Sequence, residues 1–223
     1  MNRRYNAPEV PNMATRVVTI ARQVGTAGEE VARSVAVRLG FRYIDYQVIQ
    51  DAAREAGVSP ETVSEAEHTP SLITRLLEAL ARTPSMPVAA WADPVPLATS
   101  PLLTSDDYRA VVDDVIRDLA SAGDCVIVGH GAQVTLRDHD DALRVLLCGS
   151  RKARARRIMA GMGIDEKAAL QTADKTDAER SDFFSRFYDT GWLSPWTYDL
   201  SISTDHISPE RAAELIAAAA TVR

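Results

Sequence analysis

Short apolar, β-branched runs recur at residues 16–21, 42–44, 125–128, 143–148 and 200–203, and each predicts a strand. Helical patterns lie between them. Over 28–39, Val31, Val35 and Leu39 repeat every four residues, and Gly40 is placed to end the helix. A second pattern covers 46–56 and stops at Gly57. Ser59 ahead of Pro60, with Glu61 and Thr62 behind, marks another helix start. Further helices are predicted over 71–82, 105–122, 150–162, 165–188 and 209–220. The 105–122 helix is amphipathic, with Tyr108, Val111, Val112, Val115, Ile116 and Leu119 on its apolar side. Strands alternating with helices predict an α/β fold, a five-stranded parallel sheet with helices on both faces.

Residues 83–103 break that alternation. They hold five prolines (Pro84, Pro87, Pro94, Pro96 and Pro101) yet also carry Met86, Trp91, Leu97, Leu102 and Leu103. A segment both apolar and proline-rich is unlike a solvated linker. It is a lid, an arm packed on a second subunit, or an ordered cover of the core. Exposed apolar patches of this kind mark contacts, so a homodimer through 83–103 is expected.

Composition narrows the picture. A chain of 223 residues that is 46% apolar can bury a sizeable core and suits one large domain. The net charge of −6 disfavours nucleic acid as the main partner. No apolar run approaches the ~18 residues of a membrane span, so no membrane partner is expected. Residues 1–14 lack the apolar core of a signal peptide and read as a flexible tail, with residues 15–223 as the single α/β domain. Cys125 and Cys148 both fall in strand-like runs, which suits reduced, buried thiols in a cytoplasmic protein.

The candidate chemistry begins where the first strand turns. Residues 17–32 read apolar run, Gly25-Thr26-Ala27-Gly28, then helix. That geometry aims backbone N–H groups and a helix N-terminus at one spot, which suits phosphate. The alternative is a tight turn that needs glycine and binds nothing. Against the P-loop pattern G-x-x-x-x-G-K-[ST], Arg22 stands at the first glycine and Gly28 at the lysine. Arg22 could supply the fixed charge the missing lysine would have given. There is no zinc-like spacing of His and Cys, no nucleophile elbow and no complete dinucleotide fingerprint.

Four blocks resemble the cytidylate kinase-like proteins, a divergent branch of P-loop nucleoside monophosphate kinases. Residues 20–32 are similar to S-R-x-x-G-S-G-G-R-E-[IV], and Leu39-Gly-Phe-Arg-Tyr-Ile-Asp45 to L-G-x-x-[FY]-Y-D. Val126-Ile-Val-Gly-His-Gly-Ala132 is similar to V-I-V-G-R-G-A. The fourth block runs from Arg151 to Met159, through Ala173 to Arg180, and on to Tyr198-Asp-Leu-Ser-Ile-Ser-Thr204. The resemblance implies a three-layer P-loop kinase-like fold with a helical lid at 151–190 and an insertion at 59–104. It implies a phosphotransferase using ATP and Mg²⁺ on a nucleotide. Two positions depart from the pattern: Glu29 and His130 stand where it has arginine, and both remove positive charge. A non-catalytic nucleotide- or phosphate-binding protein, a sensor or oligomeric scaffold, is therefore the alternative.

The resemblance also distributes roles. Gly25, Thr26, Ala27, Gly28 and His130 would meet the phosphates, with His130 otherwise a plain turn residue. Asp45 falls on the monophosphate side, orienting the acceptor or holding a water on Mg²⁺; a helix N-cap is its structural alternative. Five of the seven residues 151–157 are basic. Spacings of three and four bring Arg151, Arg154 and Arg157 near one helical face. With Arg180 they could form the arginine cluster of a phosphoryl-transfer lid, or else a solvated face. Asp174, Asp177 and Arg180 fall three apart on one helical face and are placed to pair with that basic run when the lid closes, a surface salt-bridge ladder being the alternative. Trp192, Trp196 and Tyr198 flank Pro195 and suit core packing more than base stacking.

Overall fold

The computed structural model describes residues 14–45, 48–49 and 106–222. The expectations for the N-terminal tail, the helices over 46–56 and 71–82, the helix start at Ser59 and the proline-rich 83–103 lie outside those residues.

All five predicted strands form: β1 (Val17–Arg22), β2 (Arg42–Ile44), β3 (Cys125–Val128), β4 (Ala142–Cys148) and β5 (Leu200–Ser203). They make one parallel sheet in the order β2-β3-β1-β4-β5. The register sets Val17 between Cys125 on one side and Ala142 on the other. Six α-helices occur among the described residues: α1 (Gly28–Leu39), α2 (Asp106–Ala122), α3 (Ala132–Thr135), α4 (Arg151–Met162), α5 (Glu166–Tyr188) and α6 (Pro209–Thr221). The short α3 and a 3-10 turn at Pro195–Thr197 are additions that apolar periodicity alone does not predict.

Alternation along β1 divides the core. Val17 faces a cluster with Ile44, Cys125, Ile127 and the α2 side chains Val112, Val115, Ile116 and Leu119. Val18 and Ile20 face the other way, against Val31 and Val35 of α1 and Ala212 and Ile216 of α6. Covered on both faces, the central strands are apolar at nearly every position, as parallel sheets require. α4 and α5 pack on each other through a small core of Ala155, Ile158, Ala169 and Ala173. The far half of α5 returns to the sheet, where Phe184 joins Ala21, Leu146, Trp192 and Tyr198.

Local capping explains the helix boundaries. Ser150, Asp165 and Ser208 each accept a first-turn amide hydrogen bond and start α4, α5 and α6. α1 starts differently: its N-cap is Ala27, left-handed at φ 57, and no side chain caps it. The connection leaving β1 runs toward β2, whereas those leaving β3 and β4 run toward β5. Diverging connections open a crevice at the carboxyl ends of the strands, the usual place for a ligand in such sheets. The uncapped start of α1 lies at that edge.

Candidate functional site

Arg22 ends β1, and its side chain runs between two glycines. A Cβ added to Gly28 would fall 2.5 Å from the Arg22 Cγ, and one added to Gly129 would fall 3.2 Å from its Nη1. The bare backbone at both positions is what lets the guanidinium lie over the start of α1. There it meets Glu29. Arg22 Nε donates to Glu29 Oε1 at 2.8 Å, and Nη2 sits 2.6 Å from the same oxygen. Burial pushes the Glu29 carboxyl up, but the Arg22 charge and hydrogen bonds outweigh it and hold the group below its ordinary value. Glu29 is therefore ionised at neutral pH. It turns onto Arg22 and neutralises the charge closest to the loop.

A second guanidinium reaches the same cluster from α5. Arg180 is electrostatically close to Arg22, Glu29, Asp177 and Arg154, and burial lowers it to about 10, which leaves it charged at neutral pH. It stacks 5.4 Å from the Trp192 ring centroid. Its Nη1 is buried and has no hydrogen-bond partner among the described residues. An orphaned charged donor is costly in a folded protein, by about 1–3 kcal/mol or more, and calls for an acceptor.

The other predicted arginines are committed to protein atoms. Arg154 is buried, pairs with Asp177 Oδ2 at 2.6 Å, and donates to the carbonyls of Gly149 and Val24. Arg157 donates to the carbonyls of Gly25 and Thr204 and to the Thr204 hydroxyl. Arg157 thereby fastens α4 to Gly25, and Arg154 ties it to Val24 just ahead of that glycine. Arg151 pairs with Asp174 at the surface, so Asp174 and Asp177 do meet the basic run.

Thr26 donates its hydroxyl to the Gln23 carbonyl at 2.7 Å. Asp45 Oδ1 accepts from the Val48 amide at 3.1 Å, as an N-cap does. His130 is buried and left-handed at φ 55, between Gly129 and Gly131 at φ 81 and 73. Its carbonyl accepts from the Tyr188 hydroxyl at 3.3 Å. Trp192 and Tyr198 are buried as expected, whereas Trp196 is exposed. An open groove of 670 Å³, lined by residues such as Asp113, Arg137, Arg186 and Tyr188, includes none of the predicted site residues.

Two contributors escaped the sequence reading. Gln23 joins three parts of the site: its Nε2 donates to Asp177 and its Oε1 accepts the Gly149 amide. A polar residue directly after an apolar strand is the signal that could have found it. Tyr43 on β2 has a buried, unpartnered hydroxyl, pushed up to about 12 by burial, with Arg33 4.3 Å from its ring centroid.

The sequence model of the cytidylate kinase-like family matches residues 17–206. This chain belongs to that family. The match spans every strand of the sheet and the loop, Arg22 and Arg180 alike. No curated protein matches the chain by sequence. Among solved structures, an uncharacterized protein from Eubacterium ventriosum superposes with a TM-score of 0.67 at 20% identity, covering 93% of this chain and 98% of that one. A shikimate kinase from Bacteroides thetaiotaomicron reaches a TM-score of 0.46 at 11% identity over 90% of this chain and 95% of its own. A gluconokinase from Sinorhizobium meliloti reaches 0.47 at 16% identity, with 91% of each chain covered. The first likeness is one of fold, and the other two are too slight to carry an argument. The cytidylate kinase-like chain thus has a kinase-like α/β fold. No described helix is long and apolar enough to cross a membrane, and no described group of three or more His, Cys, Asp or Glu side chains could hold a metal ion.

Proposed function

We propose that this cytidylate kinase-like chain is an ATP- and Mg²⁺-dependent phosphotransferase of the nucleoside monophosphate kinase type, with cytidylate as acceptor. The observation that carries the reading is the orphaned Arg180 Nη1 beside Arg22 at the uncapped start of α1. Phosphoryl transfer needs positioning and positive charge more than covalent help. Arg22 and the backbone of Gly25, Thr26, Ala27 and Gly28 would hold the ATP phosphates, with His130 beside them. Arg180 would cover the transferring group. Arg154 and Arg157 would hold the loop in place, and Asp45 would face the acceptor. Mg²⁺ would neutralise phosphate charge when bound with the nucleotide. A turnover assay with ATP-Mg and a panel of nucleoside monophosphates tests the reading. Turnover of none by a folded sample removes it.

The Arg22–Glu29 pair and the missing P-loop lysine favour a second reading, nucleotide binding without catalysis. Calorimetry separates the two, because tight ATP binding without turnover selects the second. The homodimer through 83–103 rests on sequence alone. Light scattering of the intact chain and of a variant lacking 86–100 tests it, and two monomers of equal shape would remove it.

A further inference from the structure

Counting from Gly28 in the lysine position, Glu29 takes the place of the P-loop hydroxyl. Its carboxylate sits where an anion would sit, on Arg22 and at the positive end of α1. The Arg22 guanidinium is bonded to this carboxylate, and the charge of the buried Arg180 guanidinium acts on it as well. One Glu29 oxygen takes both bonds from Arg22, and Arg180 Nη1 is left without an acceptor among the described residues. With Asp177 committed to Arg154, Glu29 is the carboxylate left to two guanidiniums, Arg22 and Arg180. A lone phosphate that replaced Glu29 on Arg22 would leave Arg180 wanting and would feel the displaced carboxylate nearby. A ligand with two adjacent phosphates can satisfy both cations at once.

We propose that Glu29 is a resident anion that a ligand must displace from Arg22, and that this exchange makes the site select diphosphate groups over single phosphates. The inference rests on the nucleotide-site reading above and names the part of the nucleotide that the site grips. Glu29 acts here as a specificity-determining residue.

Calorimetric titration with inorganic pyrophosphate and with orthophosphate tests it, on the intact chain and on Glu29→Gln. The intact chain should bind pyrophosphate about tenfold or more tighter than orthophosphate. Glu29→Gln should tighten orthophosphate by about tenfold, the order expected on removing one nearby like charge, and so narrow the ratio. In an Arg22→Ala background the same substitution should gain little, since the contested cation is gone. Glu29→Ser, which keeps a group suited to a first helical turn, guards against a Gln variant that fails to fold. Unchanged affinities for both anions in these variants, with pyrophosphate binding intact, would overturn the exchange and leave the nucleotide reading standing. If neither the intact chain nor the variants bind pyrophosphate or ATP, both fail together. A purely structural Glu29 would shift the melting temperature of the variant and leave the ratio as it was.

Discussion

Glu29 and Arg180 meet at the same helix start with opposite consequences for stability. Glu29 is half-buried, paired, and close to the positive end of α1, so its charge is favourable. Because its pKa is lowered in the folded chain, its contribution is present above the ordinary carboxylate range and is lost as pH falls through the lowered value. Melting temperatures of the parent and Glu29→Gln should therefore differ at neutral pH and converge toward acid. The pair is partly open to solvent, so the neutral-pH difference should be about 1 kcal/mol or less. Arg180 runs the other way. Its buried Nη1 lacks an acceptor among the described residues, and the nearby Asp177 and Glu29 charges and the Trp192 ring compensate in part. Arg180→Met should raise ligand-free stability by about 1 kcal/mol, or roughly 2–4 °C in a chain of this size, while weakening pyrophosphate binding. A melting temperature that falls would mean the orphaned donor costs nothing.

At the scale of elements, α4 and α5 are joined by two unlike pairs. Arg154–Asp177 is buried on the arginine side and adds bonds to two loop carbonyls. Arg151–Asp174 has both side chains more than half exposed, at 55% and 51%. Removing one partner of a buried pair strands a charge, so Arg154→Met should cost about 3–5 kcal/mol in denaturant unfolding. Arg151→Ala should cost less than about 1 kcal/mol. Equal losses would mean that burial does not separate the two pairs. This contrast marks how far the sequence could be read. Strands and helix ends were legible because β-branched runs, Ser and Asp caps and stop glycines act locally. The pairing of Asp174 and Asp177 with the basic run was legible from helical spacing. What Arg154 does was not, because its carbonyl partners at Val24 and Gly149 lie far along the chain. Glu29 was legible only as a misplaced charge. Its turn onto Arg22 depends on the room left by Gly28 and Gly129, which only the packed strands reveal.

On the scale of the whole molecule, the sheet order gathers the ends of β1, β3, β4 and β5 at one edge, so residues from 22 to 205 share one cluster. The Asp205 carboxylate accepts the Ser150 amide, Gln23 takes that of Gly149, and Arg157 reaches Thr204. A ligand seated there would tie the loop, α4, α5 and the sheet edge together, and so should stabilise the fold as a unit. A ligand that binds only the folded chain adds about 2.7 kcal/mol at a hundred times its dissociation constant. At roughly 2–4 °C per kcal/mol for this length, saturating ATP-Mg should raise the melting temperature by about 5–10 °C. Glu29→Gln should show the larger rise at equal ATP concentration, because no carboxylate competes for Arg22. No shift in either protein would remove the nucleotide site. A full shift without turnover of any monophosphate would favour the binding protein over the kinase, with Arg22 and Arg180 retained to hold a nucleotide rather than to transfer its phosphate.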